Sequence, residues 1–202
     1  MLVVLDLETT GLSPTADDIL EIGALALDAN DLSSTKFHQV CKRHKSLTDV
    51  DPFVREMHTK NGLWEEVELA AETSSQADWR LSEWLYTLGA TPASVILVGH
   101  SIHFDLAFVR AQLPLTSKLC SHRIRDIGAF GRTCRDWGIE VPELPEMPHR
   151  AIPDCEIELA GYRTLRDILK GNAADAATLA DQRDTIKSMF RKLAPKIDLD
   201  AL

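Results

Sequence analysis

The stretch LVVLDLETTGL, from Leu2 to Leu12, constrains this chain more than any other. Leu2, Val3, Val4 and Leu5 form a short apolar run, the pattern of a strand buried on both faces. Asp6 and Glu8 follow, and in an extended chain residues two apart project from one side. Two carboxylates on a buried strand are costly unless something cationic neutralises them. Oxygen donors on a rigid strand suit a hard divalent ion such as Mg²⁺ or Mn²⁺. A strand end reaching solvent is the alternative reading of this stretch alone, and residues downstream decide between the two. Gly11, Ser13 and Pro14 then mark a turn.

The 202 residues suffice for one domain with a sizeable core, without a second full domain. No apolar run reaches membrane-spanning length, so no membrane association is expected. The start lacks the basic region of a secretory signal. Cys41, Cys120, Cys134 and Cys155 are scattered, without a C-x-x-C pair, and read as free thiols of a cytoplasmic protein. The net charge of -9 argues against a long, sequence-independent grip on nucleic acid. It leaves room for a nucleic-acid enzyme with a small, metal-filled site.

Along the chain, Ile19 to Leu27 and Phe37 to Cys41 read as two further strands of an antiparallel meander. Glu21, in the first of them, reads as a carboxylate facing the neighbours of the first strand or solvent. After Asp51-Pro52 comes a short helical pattern. Trp64 to Leu69 and Asp78 to Leu88 carry helical spacing, with Trp79 and Trp84 expected in the core. Val95 to Val98 is a second candidate central strand. Ser101 is positioned as the N-cap of a helix running to about Gln112 and carrying Asp105 in its first turns. A third carboxylate thus emerges near the C-terminal end of a buried strand, where sites of α/β sheets are commonly built. Ile124 to Ile127 suggests a short strand, and Gly128 to Trp137 a helix with Phe130, Cys134 and Trp137 on one side. A proline-rich loop ends at His149. Pro153 is expected at the first position of a helix to about Leu169, with Asp154 in its first turn. Beyond Gly171, Leu179, Ile186, Phe190 and Leu193 suggest one more amphipathic helix. The domain expected over 1–170 is therefore followed by a helical extension over 171–202.

Asp6, Glu8, Asp105 and Asp154, with His149 five positions before the last, form a recognisable set. D-L-E-T-T-G-L at Asp6, G-H-S-I-H-F-D at Gly99 and H-R-A-I-P-D at His149 resemble, in order and spacing, the DEDDh branch of the 3′→5′ exonucleases. The resemblance implies an α/β, ribonuclease H-like fold: a mixed central sheet of about five strands flanked by helices. It also implies two Mg²⁺ or Mn²⁺ ions per active site, held by the four acidic residues, with His149 deprotonating the attacking water. Imidazole suits that role because its unperturbed pKa lies close to working pH.

Within that family the chain is most similar to the oligoribonucleases, through Asp51 to Val67 (DPFVREMHTKNGLWEEV) and Tyr162-Arg163. This implies a homodimer that degrades short single-stranded RNA to 5′-mononucleotides. It further implies that Leu12 wedges between the last two bases, that Phe53 stacks on a base where the family has Trp, and that His58 lines the same pocket. Ser101 and Arg123 match positions that hold the 5′ phosphate of a dinucleotide. His122 replaces a Tyr that reaches across the dimer, and Gly128 replaces a phosphate-contacting Ser. Both changes predict an enzyme less confined to dinucleotides. Two rival readings remain: a proofreading-type DNA exonuclease, and a non-catalytic fold-mate that binds nucleic acid.

Overall fold

A computed structural model describes residues 1–27 and 34–174. β1 (Leu2–Thr9), β2 (Ile19–Leu27) and β3 (Ser34–Val40) form the expected antiparallel meander. The chain then forms α1 (Pro52–Lys60), α2 (Leu63–Leu69) and α3 (Ser74–Thr87). It returns through β4 (Val95–Gly99), α4 (His103–Gln112), α5 (Pro114–Leu119) and β5 (Cys120–Asp126). α6 (Ile127–Asp136) and α7 (Ala151–Ala174) follow. The five strands lie in the order β3-β2-β1-β4-β5, with β1 antiparallel to β2 and parallel to β4. The architecture is thus α/β with a mixed sheet, as the family resemblance implies.

β1 is central, which is why its first residues are uniformly apolar. Val3, Leu5 and Leu7 pack with Ile22 and Ala24 of β2, Leu97 of β4, Leu81 and Leu85 of α3, and Phe108 of α4. A second cluster joins Leu20 to Val50, Leu63, Trp64 and Val67 and fixes α2. Local chemistry sets the helix ends. Asp51 caps α1 by accepting from the Phe53 amide at 2.8 Å, with Pro52 in the first helical position. Thr73 and Gln76 form a reciprocal capping box on α3. These elements form one compact unit, Met1–Tyr162. A second unit is Arg163–Leu202, whose described part, to Ala174, is helical.

Several local expectations are corrected. Ser101 is not the cap of α4: it adopts a left-handed φ of 59°, and Ile102 precedes the helix without a side-chain cap. α7 begins at Ala151, so Pro153 sits within its first turn, where the missing N–H has no intrahelical partner to lose. The helix also continues past Leu169. Trp79 is 56% exposed because α3 buries Ala77, Asp78, Leu81, Ser82 and Leu85 instead. On α6 the buried positions are Ile127, Gly128, Gly131 and Cys134, which leaves Phe130 and Trp137 exposed. α5 was not foreseen, since it is one short, periodless segment. It is pinned from a distance by Asp78, whose carboxylate accepts from the amides of Leu115 and Thr116, both at 2.9 Å. Leu179, Ile186, Phe190 and Leu193 lie outside the described residues. Among those described, no helix is long and apolar enough to cross a membrane.

Candidate active site

β1 carries Asp6 and Glu8 past the point where its pairing with β4 stops, at Val4 and Val98. The Leu7 amide is therefore free of a ladder partner, and the Asp105 carboxylate accepts it at 3.0 Å. That bond ties the first turn of α4 to β1. On the other side of β1, Gly23 stands opposite Asp6. A Cβ there would come within 2.6 Å of the Ala151 carbonyl group, so glycine is what lets the start of α7 touch β2. Cys155 secures the contact by donating its thiol to the Gly23 carbonyl at 3.4 Å. Asp154 and Glu158, one helical turn apart, are thereby brought against Asp6 and Glu8.

Asp6, Glu8, Asp105, Asp154, Glu158 and His149 line one cleft of about 840 Å³. Donor atoms of Glu8, His149 and Asp154 lie within 4.8 Å of one another. Asp6 Oδ2, Asp154 Oδ1 and Glu158 Oε2 are buried without a hydrogen-bond partner. Burial, reinforced by the neighbouring carboxylates, pushes Glu8 up to about 9 and raises Asp6 well above the usual carboxylate range. Burial likewise raises Asp105 to about 7 and Asp154 to about 6, although hydrogen bonds to both oppose it and His149 also lowers Asp154. Carboxylates strained in this way are those a cation would relieve.

His149 is exposed at the cleft and holds a left-handed φ of 56°. Its backbone is gripped from below. Asn61 Nδ2 donates to the His149 carbonyl at 2.5 Å, and the Ala151 amide donates to Glu21 Oε2 at 2.9 Å. Arg150 donates to Glu21 through Nε at 3.1 Å and Nη2 at 3.0 Å, and also pairs with Glu66. Glu21 is 1% exposed, so its solvent-facing alternative is overturned: register sets it opposite Glu8, and Arg150 neutralises it there. Burial alone would raise its pKa. Hydrogen bonds from His38, Arg150 and the Ala151 amide outweigh that and hold it down at about 2.

Leu12 and Phe53 line the cleft and are 82% and 73% exposed, beside Val54, Met57 and Met147. Ser101 lines it too. His58, expected along the base pocket, lies instead beneath it. It is fully buried, edge-on to Trp64, with Nε2 3.5 Å from Glu8 Oε2. Burial pushes its pKa down to about 4, so the ring is neutral. His122 and Arg123 are exposed on β5 and do not line the cleft. Gly128 has a steric reason: a Cβ there would overlap the His100 imidazole, which occupies that part of the cleft wall. The residues that sequence reasoning passed over are Glu158, Arg150 and Asn61. Only Glu158 carried a signal, its i+4 spacing from Asp154 on a helix.

The family model for the RNase_T exonucleases matches residues 3–162. The chain belongs to that exonuclease family. The oligoribonuclease of Nocardia farcinica is 30% identical over 172 residues, which is 81% of this chain and 79% of that one. That of Corynebacterium diphtheriae is 32% identical over 158 residues, 76% of this chain and 75% of the relative. Among solved structures, apo exonuclease I aligns with a TM-score of 0.60 at 18% identity over 82% of this chain. Escherichia coli exonuclease I bound to a dT13 oligonucleotide aligns at 0.58 and 18% over 98% of it. This exonuclease spans 42% and 46% of those two chains, and the likeness is one of fold. Membership implies divalent metal ions. The buried, donorless oxygens of Asp6 and Asp154, beside the converging donors of Glu8 and His149, fit one.

Proposed function

We propose that this exonuclease is a 3′→5′ exoribonuclease that shortens single-stranded RNA oligonucleotides to 5′-mononucleotides. The single observation that carries the reading is the convergence of Asp6, Glu8, Asp105, Asp154 and His149 on one open cleft with exposed Leu12 and Phe53 at its edge. Asp6, Glu8, Asp105 and Asp154 would hold two divalent cations, Mg²⁺ or Mn²⁺, which stabilise charge on the attacking and leaving oxygens of an in-line displacement. His149 takes the proton of the attacking water through its ring, which its exposure leaves open to solvent. The left-handed turn gripped by Asn61 and Glu21 keeps that ring at the cleft. Leu12 and Phe53 hold terminal bases by stacking and contact, and Ser101 faces the phosphate. The protein works as a cytoplasmic homodimer, with residues 1–170 as the catalytic domain and 171–202 as an extension.

The test is a time course with 5′-labelled RNA and DNA of two, seven and twenty nucleotides in Mg²⁺ and in Mn²⁺, with Asp105→Ala alongside. Shortening of RNA from the 3′ end, lost in the variant, is expected. DNA cut faster than RNA would transfer the reading to the proofreading type. Inert wild type in both metals would leave a nucleic-acid-binding fold-mate. Comparable rates on the dinucleotide and the longer RNAs are expected from His122 and Gly128, and strict dinucleotide preference would refute that part. Light scattering on the whole chain tests the homodimer.

A further inference from the structure

We propose that Glu158 is a fifth carboxylate of the metal-holding cluster, raising the affinity of the cleft for a divalent cation. The proposal rests on the metal-dependent reading above. Glu158 follows Asp154 by one turn on the same face of α7, is 2% exposed, and lines the same cleft. Its two oxygens differ. Oε1 accepts the His100 amide at 2.7 Å and so fixes the start of the β4–α4 turn. Oε2 is fully buried and receives no hydrogen bond.

The structural task needs only one acceptor oxygen, which a neutral glutamine would supply equally well. The second oxygen has no such task. Ionised beside a bound cation, it adds negative charge among Asp6, Asp105 and Asp154, where burial and like charges otherwise disfavour that charge. An ionised carboxylate accepts hydrogen bonds and donates none, so two such groups cannot satisfy each other. Asp6 Oδ2 and Asp154 Oδ1 share the condition of Glu158 Oε2: each is buried and donorless on one cleft. A hard cation, with water filling its remaining positions, gives all three a partner. Glu158 acts either directly or through such a water; in both cases its charge raises cation affinity.

The experiment titrates Mn²⁺ into the metal-stripped whole chain by calorimetry and by electron paramagnetic resonance, for wild type, Glu158→Gln and Glu158→Ser. Melting temperatures with and without Mn²⁺ accompany each. Gln keeps the acceptor for the His100 amide, and Ser is a smaller second variant should Gln disturb folding. Mn²⁺ dissociation constants about 10- to 100-fold weaker are expected, with the metal-free melting temperature unchanged or raised and a smaller gain on adding Mn²⁺. Wild-type affinity in a folded variant would overturn the proposal, as would a lowered metal-free melting temperature with unchanged affinity, the mark of a packing role. If wild type itself binds no Mn²⁺, the metal-dependent reading fails, and the proposal falls with it.

Discussion

Glu21→Gln isolates the charge that anchors the His149 turn. In the folded protein Glu21 is held at about 2, against its ordinary 4.5, by His38, Arg150 and the Ala151 amide acting against burial. At neutral pH that difference corresponds to about 3 kcal/mol of stability. Because the folded pKa is depressed, the contribution is full above the ordinary value and is lost as pH falls through the folded one. It should shrink to about 2 kcal/mol at pH 3.5 and vanish below pH 2. Gln preserves shape and an acceptor for the Ala151 amide, while its amide nitrogen cannot accept from His38 and Arg150, so the substitution removes the charge together with those hydrogen bonds. Urea unfolding of wild type and variant in EDTA, at pH 7 and 3.5, reads the difference directly. Glu21 also raises the pKa of Glu8, so relief of that repulsion trims the loss slightly. The reasoning also predicts slower hydrolysis, on the order of 10- to 100-fold, with little change in KM, because the turn that aims His149 loosens. A stability difference under 1 kcal/mol at pH 7, or one that stays flat between the two pH values, would refute it.

Asp105→Asn should abolish hydrolysis while the metal-free melting temperature at pH 8 holds or rises. The amide oxygen still accepts the Leu7 amide and a repelling charge is gone; a large drop in melting temperature would count against this. Phe53→Ala should raise KM for short RNA about 10-fold, as loss of one stacking contact implies, with an unchanged melting temperature because the ring is 73% exposed. Steady-state kinetics on a seven-nucleotide RNA decide that. In EDTA the raised carboxylates Glu8, Asp105 and Asp154 make the fold bind more protons than the unfolded chain. Stability should therefore fall as pH rises from about 4.5 towards 9, and Mn²⁺ should flatten the slope. Urea midpoints at pH 5.5, 7 and 8.5 measure it, and a rise with pH in EDTA would contradict the assignment.

What the sequence made legible was whatever depended on neighbours in the chain. The apolar runs that open β1 and β4 were readable as central strands, and three short motifs carried Asp6, Glu8, Asp105, Asp154 and His149 to one cleft. Illegible were the features set by register and depth. Glu21 became a buried anchor only because strand pairing sets it opposite Glu8 and the contact at Gly23 brings Arg150 within reach. Glu158 required knowing how closely α7 lies on the sheet. Trp79 was read as core and Phe130 and Trp137 were placed on one apolar side with Cys134, yet the phase of each helix, decided by what it packs on, turned all three outward.

His100 and Gly128 share one small volume, and this couples what each position can hold. A side chain added at 128 meets the His100 ring, which is exposed and must swing aside to admit it. Trimming His100 first removes the obstruction. Substitutions at 100 and 128 are therefore expected to be coupled rather than additive. A designer who grafts a serine at 128 must also leave the His100 ring somewhere else to go.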